Sequence, residues 1–199
     1  MKKGFLVFSL IGALFFSGST VLAETPKAII QSTIDKLVQV VETLPGQANA
    51  AKRREEMRTV ITARFNFAEM SKSSLSRYWK DLTEAERQEF IEVFSELLAK
   101  TYLDRIDSIE RDVVAVNSER ISKARAIVKT TVTYKGDVFP IDYRMVQKDG
   151  EWKVYDVVIE NIGLVNNYRN EFAGIIRKEK FSGLLLKLKE KLAKPDPAK

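Results

Sequence analysis

Cysteine and histidine are both absent from the 199-residue chain. Their absence removes the Ser-His-Asp triad, the thiol nucleophile, the CxxC redox pair and any zinc site with His or Cys ligands. A metal site would have to be built from oxygen alone, and no EF-hand spacing is present. There is no internal repeat. After the N-terminal apolar stretch no second long apolar run follows, so nothing later in the sequence reads as a membrane span.

What is there begins with an export signature. Lys2 and Lys3 form a positive start, and Gly4 to Phe16 is apolar but shorter than the roughly 20 residues a bilayer span needs. Ser17 to Ala23 is small and polar and ends Val21-Leu22-Ala23, an exit suited to signal peptidase. Residues 1–23 are therefore expected to be a cleaved signal peptide, and no Cys follows to make it a lipoprotein signal. Cleavage leaves 176 of the 199 residues and removes two of the 33 basic residues and none of the 27 acidic ones, a balance of +4. Residues 24–194 are read as a single domain and 195–199 as a disordered tail. An exported chain without disulfides must be held together by its core, which this length permits.

The first half has helical periodicity. Thr25-Pro26 reads as an N-cap followed by Pro at N1, with Ile29, Ile30, Ile34, Leu37, Val38, Val41 and Leu44 behind it. Pro45-Gly46 closes that helix, and residues 48–64 read as a second, charged one. Asn66 is expected to cap a third helix carrying Met70, Leu75, Tyr78 and Trp79. Thr83-Glu84-Ala85-Glu86 is a capping box that opens a fourth helix reaching about Asp107. Phe90, Phe94, Leu97, Leu98 and Tyr102 line one aromatic-rich side of it.

Near Ile109 the character changes, and the composition turns to Val, Ile, Thr and Tyr. Runs 113–116, 124–134, 138–147 and 151–160 are separated by Asn117-Ser118, Lys135-Gly136-Asp137 and Asp149-Gly150. Asp-Gly between alternating runs is a strong hairpin signal. Helices followed by strands predict an α+β fold: N-terminal helices over a curved antiparallel sheet of four or more strands, then C-terminal helices. Alternation puts Val128 and Val132 on one face of the second run, Tyr143 and Met145 on one face of the third, and Tyr155, Val157 and Ile159 together on the fourth. Leu164, Tyr168 and Phe172 mark a further helix, and Ser182 is expected to cap a last one with Leu184, Leu185, Leu188 and Leu192.

Three charged features have ordinary explanations. Asp142 and Arg144 share a strand face and suit a cross-strand ion pair better than a carboxylate dyad or a phosphate grip. Lys52-Arg53-Arg54 followed by Glu55-Glu56 reads as charge patterning on an exposed helix, which gives no reason to expect a nucleic-acid partner. The Lys/Leu stretch 180–194 is expected to pack its Leu side on its own domain, with a weak allowance for transient membrane-surface contact.

The order of several segments resembles the toluene-tolerance (MlaC) family of periplasmic phospholipid-binding proteins. The resemblance runs through Arg64-Phe65-Asn66-Phe67-Ala68-Glu69-Met70, Leu75 with Tyr78-Trp79, and Thr83 with Phe90, Phe94, Leu97-Leu98 and Thr101-Tyr102. In the second half it rests on Tyr143-Arg144, Gly150-Glu151-Trp152-Lys153-Val154-Tyr155-Asp156-Val157, and Leu164-Val165-Asn166-Asn167-Tyr168-Arg169 with Phe172. Asn66, Ser76 and Gly163 stand where the family pattern leads one to expect Asp, Gly and Ser, and Asn161 stands in place of a turn Gly whose left-handed geometry Asn tolerates.

That resemblance implies an NTF2-like or cystatin-like sheet and acyl chains held between sheet and helices with the headgroup near solvent. It also implies docking to an inner-membrane MCE-domain transporter complex and to an outer-membrane lipoprotein complex, in the maintenance of lipid asymmetry. The expected ligand is phospholipid, no cofactor is expected and no catalytic residue is assigned. The expected pocket comprises the apolar residues already named from Met70 to Tyr102, on the faces of the last three long strands, and at Leu164, Tyr168 and Phe172. Two alternatives remain open on the residues alone: a cavity-free interaction module, and a small exported α+β enzyme using Asp, Glu or Tyr.

Overall fold

A computed structural model describes residues 24–106 and 113–194. The proposed signal peptide and the C-terminal tail lie outside the described residues. The helices are α1 (Pro26–Thr43), α2 (Ala50–Arg64), α3 (Phe67–Leu75), α4 (Glu84–Ile106) and α5 (Leu164–Ala193). The strands are β1 (Val114–Ser122), β2 (Arg125–Tyr134), β3 (Asp137–Lys148), β4 (Glu151–Ile159) and β5 (Ile162–Gly163). Together the strands form one five-stranded antiparallel meander in chain order. The fold is α+β, as the order of runs predicts. No described helix is long and apolar enough to cross a membrane.

Local chemistry sets most boundaries. Thr25 caps α1 by accepting the Ala28 amide at 3.2 Å, with Pro26 at the first helical position. Arg53, read as exposed, is instead buried: its Nη1 donates to the Leu44 and Gly46 carbonyls at 2.7 and 2.9 Å, closing the C-terminal end of α1. Asn66 caps α3 through the Glu69 amide at 2.9 Å. The capping box is reciprocal, Thr83 N–H donating to Glu86 at 2.8 Å and Glu86 N–H to the Thr83 hydroxyl at 3.3 Å.

Several boundaries differ from expectation. Tyr78 and Trp79 sit in a 3₁₀ segment, Ser76–Asp81, because Ser76 takes a φ of 52° and ends α3. Asn117-Ser118 is a bulge inside β1 and not a turn; the strand continues to Ser122. Two-residue turns with positive φ at both centres join β2 to β3 (Lys135-Gly136), β3 to β4 (Asp149-Gly150) and β4 to β5 (Glu160-Asn161). This mirror-type turn suits the twist of paired strands, and Asn161 occupies it at φ 67°. The two expected C-terminal helices are both present within α5, separated by a kink where Lys180 leaves helical geometry, so the break falls two residues before Ser182.

Among the described residues three apolar clusters result. A helical one joins α3, the first part of α4, and α5. A second lies between α1 and the inner face of the sheet. A third joins α1, α2 and the end of α4 through Leu37, Met57 and Leu103.

Candidate functional site

The expected pocket residues divide between two of these clusters. Met70, Leu75, Phe90, Phe94, Leu97, Leu98, Tyr168 and Phe172 are buried in the helical cluster, with Tyr78, Trp79 and Tyr102 half-buried against it. Val128, Met145 and Val157 are buried in the sheet cluster, with Tyr143, Ile159 and Leu164 packed alongside. The aromatic side of α4, expected to line one pocket together with the strand faces, meets α5 and not the sheet. Phe94 meets Tyr168 and Phe172 edge-on at 5.1 and 5.4 Å, and Phe90 meets Phe172 at 5.7 Å, so α4 packs on α5. The sheet is covered by the Ile29, Ile30, Ile34 and Val38 stripe of α1.

Two sheet candidates stand apart. Val132 is half-buried near the end of β2 and belongs to none of the three clusters among the described residues. Tyr155 does not share a face with Val157 and Ile159. A bulge in β4 opposite Arg144/Met145 pairs Met145 with Val154 but Arg144 with Asp156. The extra residue turns Tyr155 to the outer face, where Arg125 lies 5.1 Å over its ring.

The two clusters meet at Phe65, a half-buried side chain that packs against both. It lies outside the expected pocket set, although the Arg64-Phe65-Asn66-Phe67 run of the resemblance carries it. The chain is stitched to β4 at this point. Phe65 pairs with Val154, the Asn66 amide donates to the Val154 carbonyl at 2.7 Å, and Lys153 reaches the Ala63 carbonyl at 2.7 Å. On the far side of the sheet edge, Leu164 joins the sheet cluster and its neighbour Val165 the helical one. Phe65 and the Leu164–Val165 step thus mark a seam between two apolar bodies.

Burial raises the Tyr143 hydroxyl pKa to about 12 and drives that of Tyr168 up as well. Both hydroxyls therefore keep their protons further into the alkaline range than an ordinary tyrosine does. Among the described residues no cluster of acidic side chains is arranged to hold a metal ion.

A polar cavity of about 360 Å³ opens at one end of the seam. Arg144, Tyr155 and Asp156 from the sheet, Asn161 from the last turn, and Asn166 and Arg169 from α5 line it. Asp156 is 3% exposed and fully engaged: Oδ1 accepts the Val165 amide at 3.0 Å and Oδ2 accepts Arg144 Nη1 at 3.1 Å. The expected ion pair of Arg144 is therefore made with Asp156. Arg169 Nε donates to the Ser73 carbonyl at 2.9 Å, which ties α5 to α3. A smaller cavity of about 180 Å³ lies across Asn161, beside Lys129 and Asp142.

The family model described as MlaC protein matches residues 31–190. The chain is 24% identical over 209 residues to the intermembrane phospholipid transport system binding protein MlaC of Haemophilus influenzae, covering 98% of this chain and 95% of that protein. It is 26% identical over 183 residues to the toluene tolerance protein ttg2D of Pseudomonas putida, covering 89% and 83%. A phospholipid-binding protein of Ralstonia solanacearum, solved in complex with a phospholipid, superposes with a TM-score of 0.74 at 27% identity. That match spans 84% of this chain and 98% of the other.

Proposed function

As the chain belongs to the MlaC family, we propose that it is a phospholipid-binding protein of an intermembrane transport system. The acyl chains would lie along the seam where the helical and sheet clusters meet. The observation that carries this reading is the match, over 84% of this chain and 98% of the other, to a protein solved with a phospholipid. The division of the apolar interior into two bodies that share Phe65 supports the placement.

The chemistry needs no catalytic group. Each buried CH₂ contributes about 0.8 kcal/mol, so one long acyl chain crossing water costs on the order of 10 kcal/mol. An apolar interior that takes up the chain removes most of that barrier. In the conformation described, Phe90, Phe94, Tyr168 and Phe172 are in ring contact. Those contacts lie within the helical cluster, and a chain along the seam would part that cluster from the sheet cluster, a shift that binding of lipid or a partner would favour.

The export signature supports a periplasmic setting after cleavage behind Ala23. The partners are then an inner-membrane MCE-domain transporter complex and an outer-membrane lipoprotein complex. The carrier by itself sets no direction; it equilibrates lipid unless a partner couples transfer to energy. Native mass spectrometry on mature protein purified without detergent tests the reading. A stoichiometric phospholipid adduct is the expected result. A bare mass that persists after incubation with liposomes would replace the carrier with a filled interaction module.

A further inference from the structure

The cavity at the end of the seam has a composition that apolar packing does not explain. Its charged lining is Arg144, Arg169 and Asp156. Asp156 has both oxygens occupied, by the Val165 amide and by Arg144. One positive charge is left over. Arg169 uses only Nε in its contact with the Ser73 carbonyl. Arg144 uses Nη1 toward Asp156, and its side chain is 44% exposed. The rest of each guanidinium is free to serve the cavity, and Asn161 and Asn166 add amide groups to its wall.

The floor differs from the walls. Val165 lines the cavity and is also a 4%-exposed member of the helical apolar cluster. A ligand with its polar end here would have its apolar part begin against Val165, at the edge of the helical cluster. The charged and amide lining suits a headgroup and not an acyl chain, and the volume of about 360 Å³ is enough to hold one. The N-terminus of α5 is already capped by Asp156, so the attraction rests on the two guanidiniums.

Resting on the carrier reading, we infer that this cavity is the seat of a lipid phosphodiester, held by the free N–H groups of Arg144 and Arg169. A phosphodiester bears one negative charge, which the single surplus positive charge neutralises. Planar guanidinium groups fit phosphate oxygens better than a point charge does. The bulge that turns Tyr155 outward also places its ring in the same wall.

The test uses the full mature protein and phosphatidylglycerol vesicles doped with a diacylglycerol of the same acyl chains. Native mass spectrometry reads the adduct ratio against the vesicle composition. Wild type is expected to favour the phospholipid at least about ten-fold, as a charge-assisted hydrogen bond would give. Arg169→Gln and Arg144→Gln should each lower that preference by about ten-fold while the diacylglycerol adduct persists. Arg169→Lys should restore part of it. Arg144→Gln unpairs a buried carboxylate, so if it fails to fold, Arg169→Gln decides.

An unchanged ratio in folded Arg169→Gln overturns the phosphate seat. So does equal uptake of both lipids by wild type, although the carrier reading then survives. Binding of inorganic phosphate alone, with competition against lipid, would reassign the cavity to a free anion and overturn the inference as stated. Uptake of neither lipid would overturn the carrier reading and this inference with it.

Discussion

Asp156 of β4 caps a helix that begins eight residues later: its Oδ1 accepts the Val165 amide of α5 at 3.0 Å. The local N-cap residue, Gly163, has no side chain to offer. The sheet therefore supplies the cap, and with Arg144 on the other oxygen it fixes how α5 leaves β4. Replacing Asp156 with Ala strands a buried amide and leaves the exposed Arg144 guanidinium without its partner. The expected loss is about 3 kcal/mol in urea denaturation. Asp156→Asn keeps one acceptor and should lose clearly less; equal losses would contradict the capping role.

Gly163 bears on the same carboxylate. A Cβ there would come within 3.1 Å of Asp156 Oδ2, tight against a group anchored at both oxygens. Gly163→Ala should therefore destabilise. Ser adds the same Cβ but also a hydroxyl that can donate to Asp156 and cap α5, and the backbone at φ −73°, ψ 128° suits it. Ser is expected to be more stable than Ala at this position by about 1 kcal/mol. Thermal melts of the two variants decide it.

Much of this architecture is legible in the sequence. The capping box at Thr83, the Pro at Pro26 and the Asp149-Gly150 turn act over a few residues, and their chemistry survives folding unchanged. Features that depend on a neighbour in space were not legible. Period-two alternation assigns Tyr155 the face of Val157, and only the pairing with β3 reveals the bulge that reverses it. Arg53 looks like one charge in a row of five until the carbonyls of Leu44 and Gly46 are brought to it. The apolar stripe of α4 shows that the helix is buried but not against what; its partner is set by where Asp156 launches α5.

Lys180 sits at φ 61°, ψ −178°, a region that costs a residue with a Cβ, and it bends α5. Gly183 lies just beyond, where a Cβ would be 2.5 Å from that of Glu179. Lys180→Gly should raise stability by about 1 kcal/mol, since relief of strain exceeds the added freedom of the unfolded chain. Gly183→Ala should lower it by about 1–3 kcal/mol. Opposite signs in denaturant unfolding are the expected result, and equal signs would show that the bend is not held by these two positions.

Stability should fall at high pH. Burial raises the Tyr143 hydroxyl to about 12, above the ordinary value near 10 that the unfolded chain retains. Its contribution is thus complete below pH 10 and is lost as pH rises toward 12, where the unfolded state sheds the proton first. Urea midpoints measured across that window should decline, and Tyr143→Phe should flatten the decline. Tyr168, raised in the same direction, should leave a residual slope.

Phe65 separates a carrier from a protein that is merely well packed. It is the half-buried ring common to the helical and sheet clusters, so truncating it removes contacts to both sides of the seam at once. Met57 is fully buried but belongs to the third cluster, with Leu37 and Leu103. Phe65→Ala and Met57→Ala should each cost about 2–5 kcal/mol, because each leaves space that neighbours fill only in part. Lipid exchange should distinguish them. If acyl chains lie along the seam, Phe65→Ala eases its parting, and transfer of a fluorescent phospholipid between vesicles should accelerate. Met57→Ala should leave the transfer rate at the wild-type value despite its comparable loss of stability. Equal transfer rates in the two variants would mean that the seam at Phe65 is not where the chains enter.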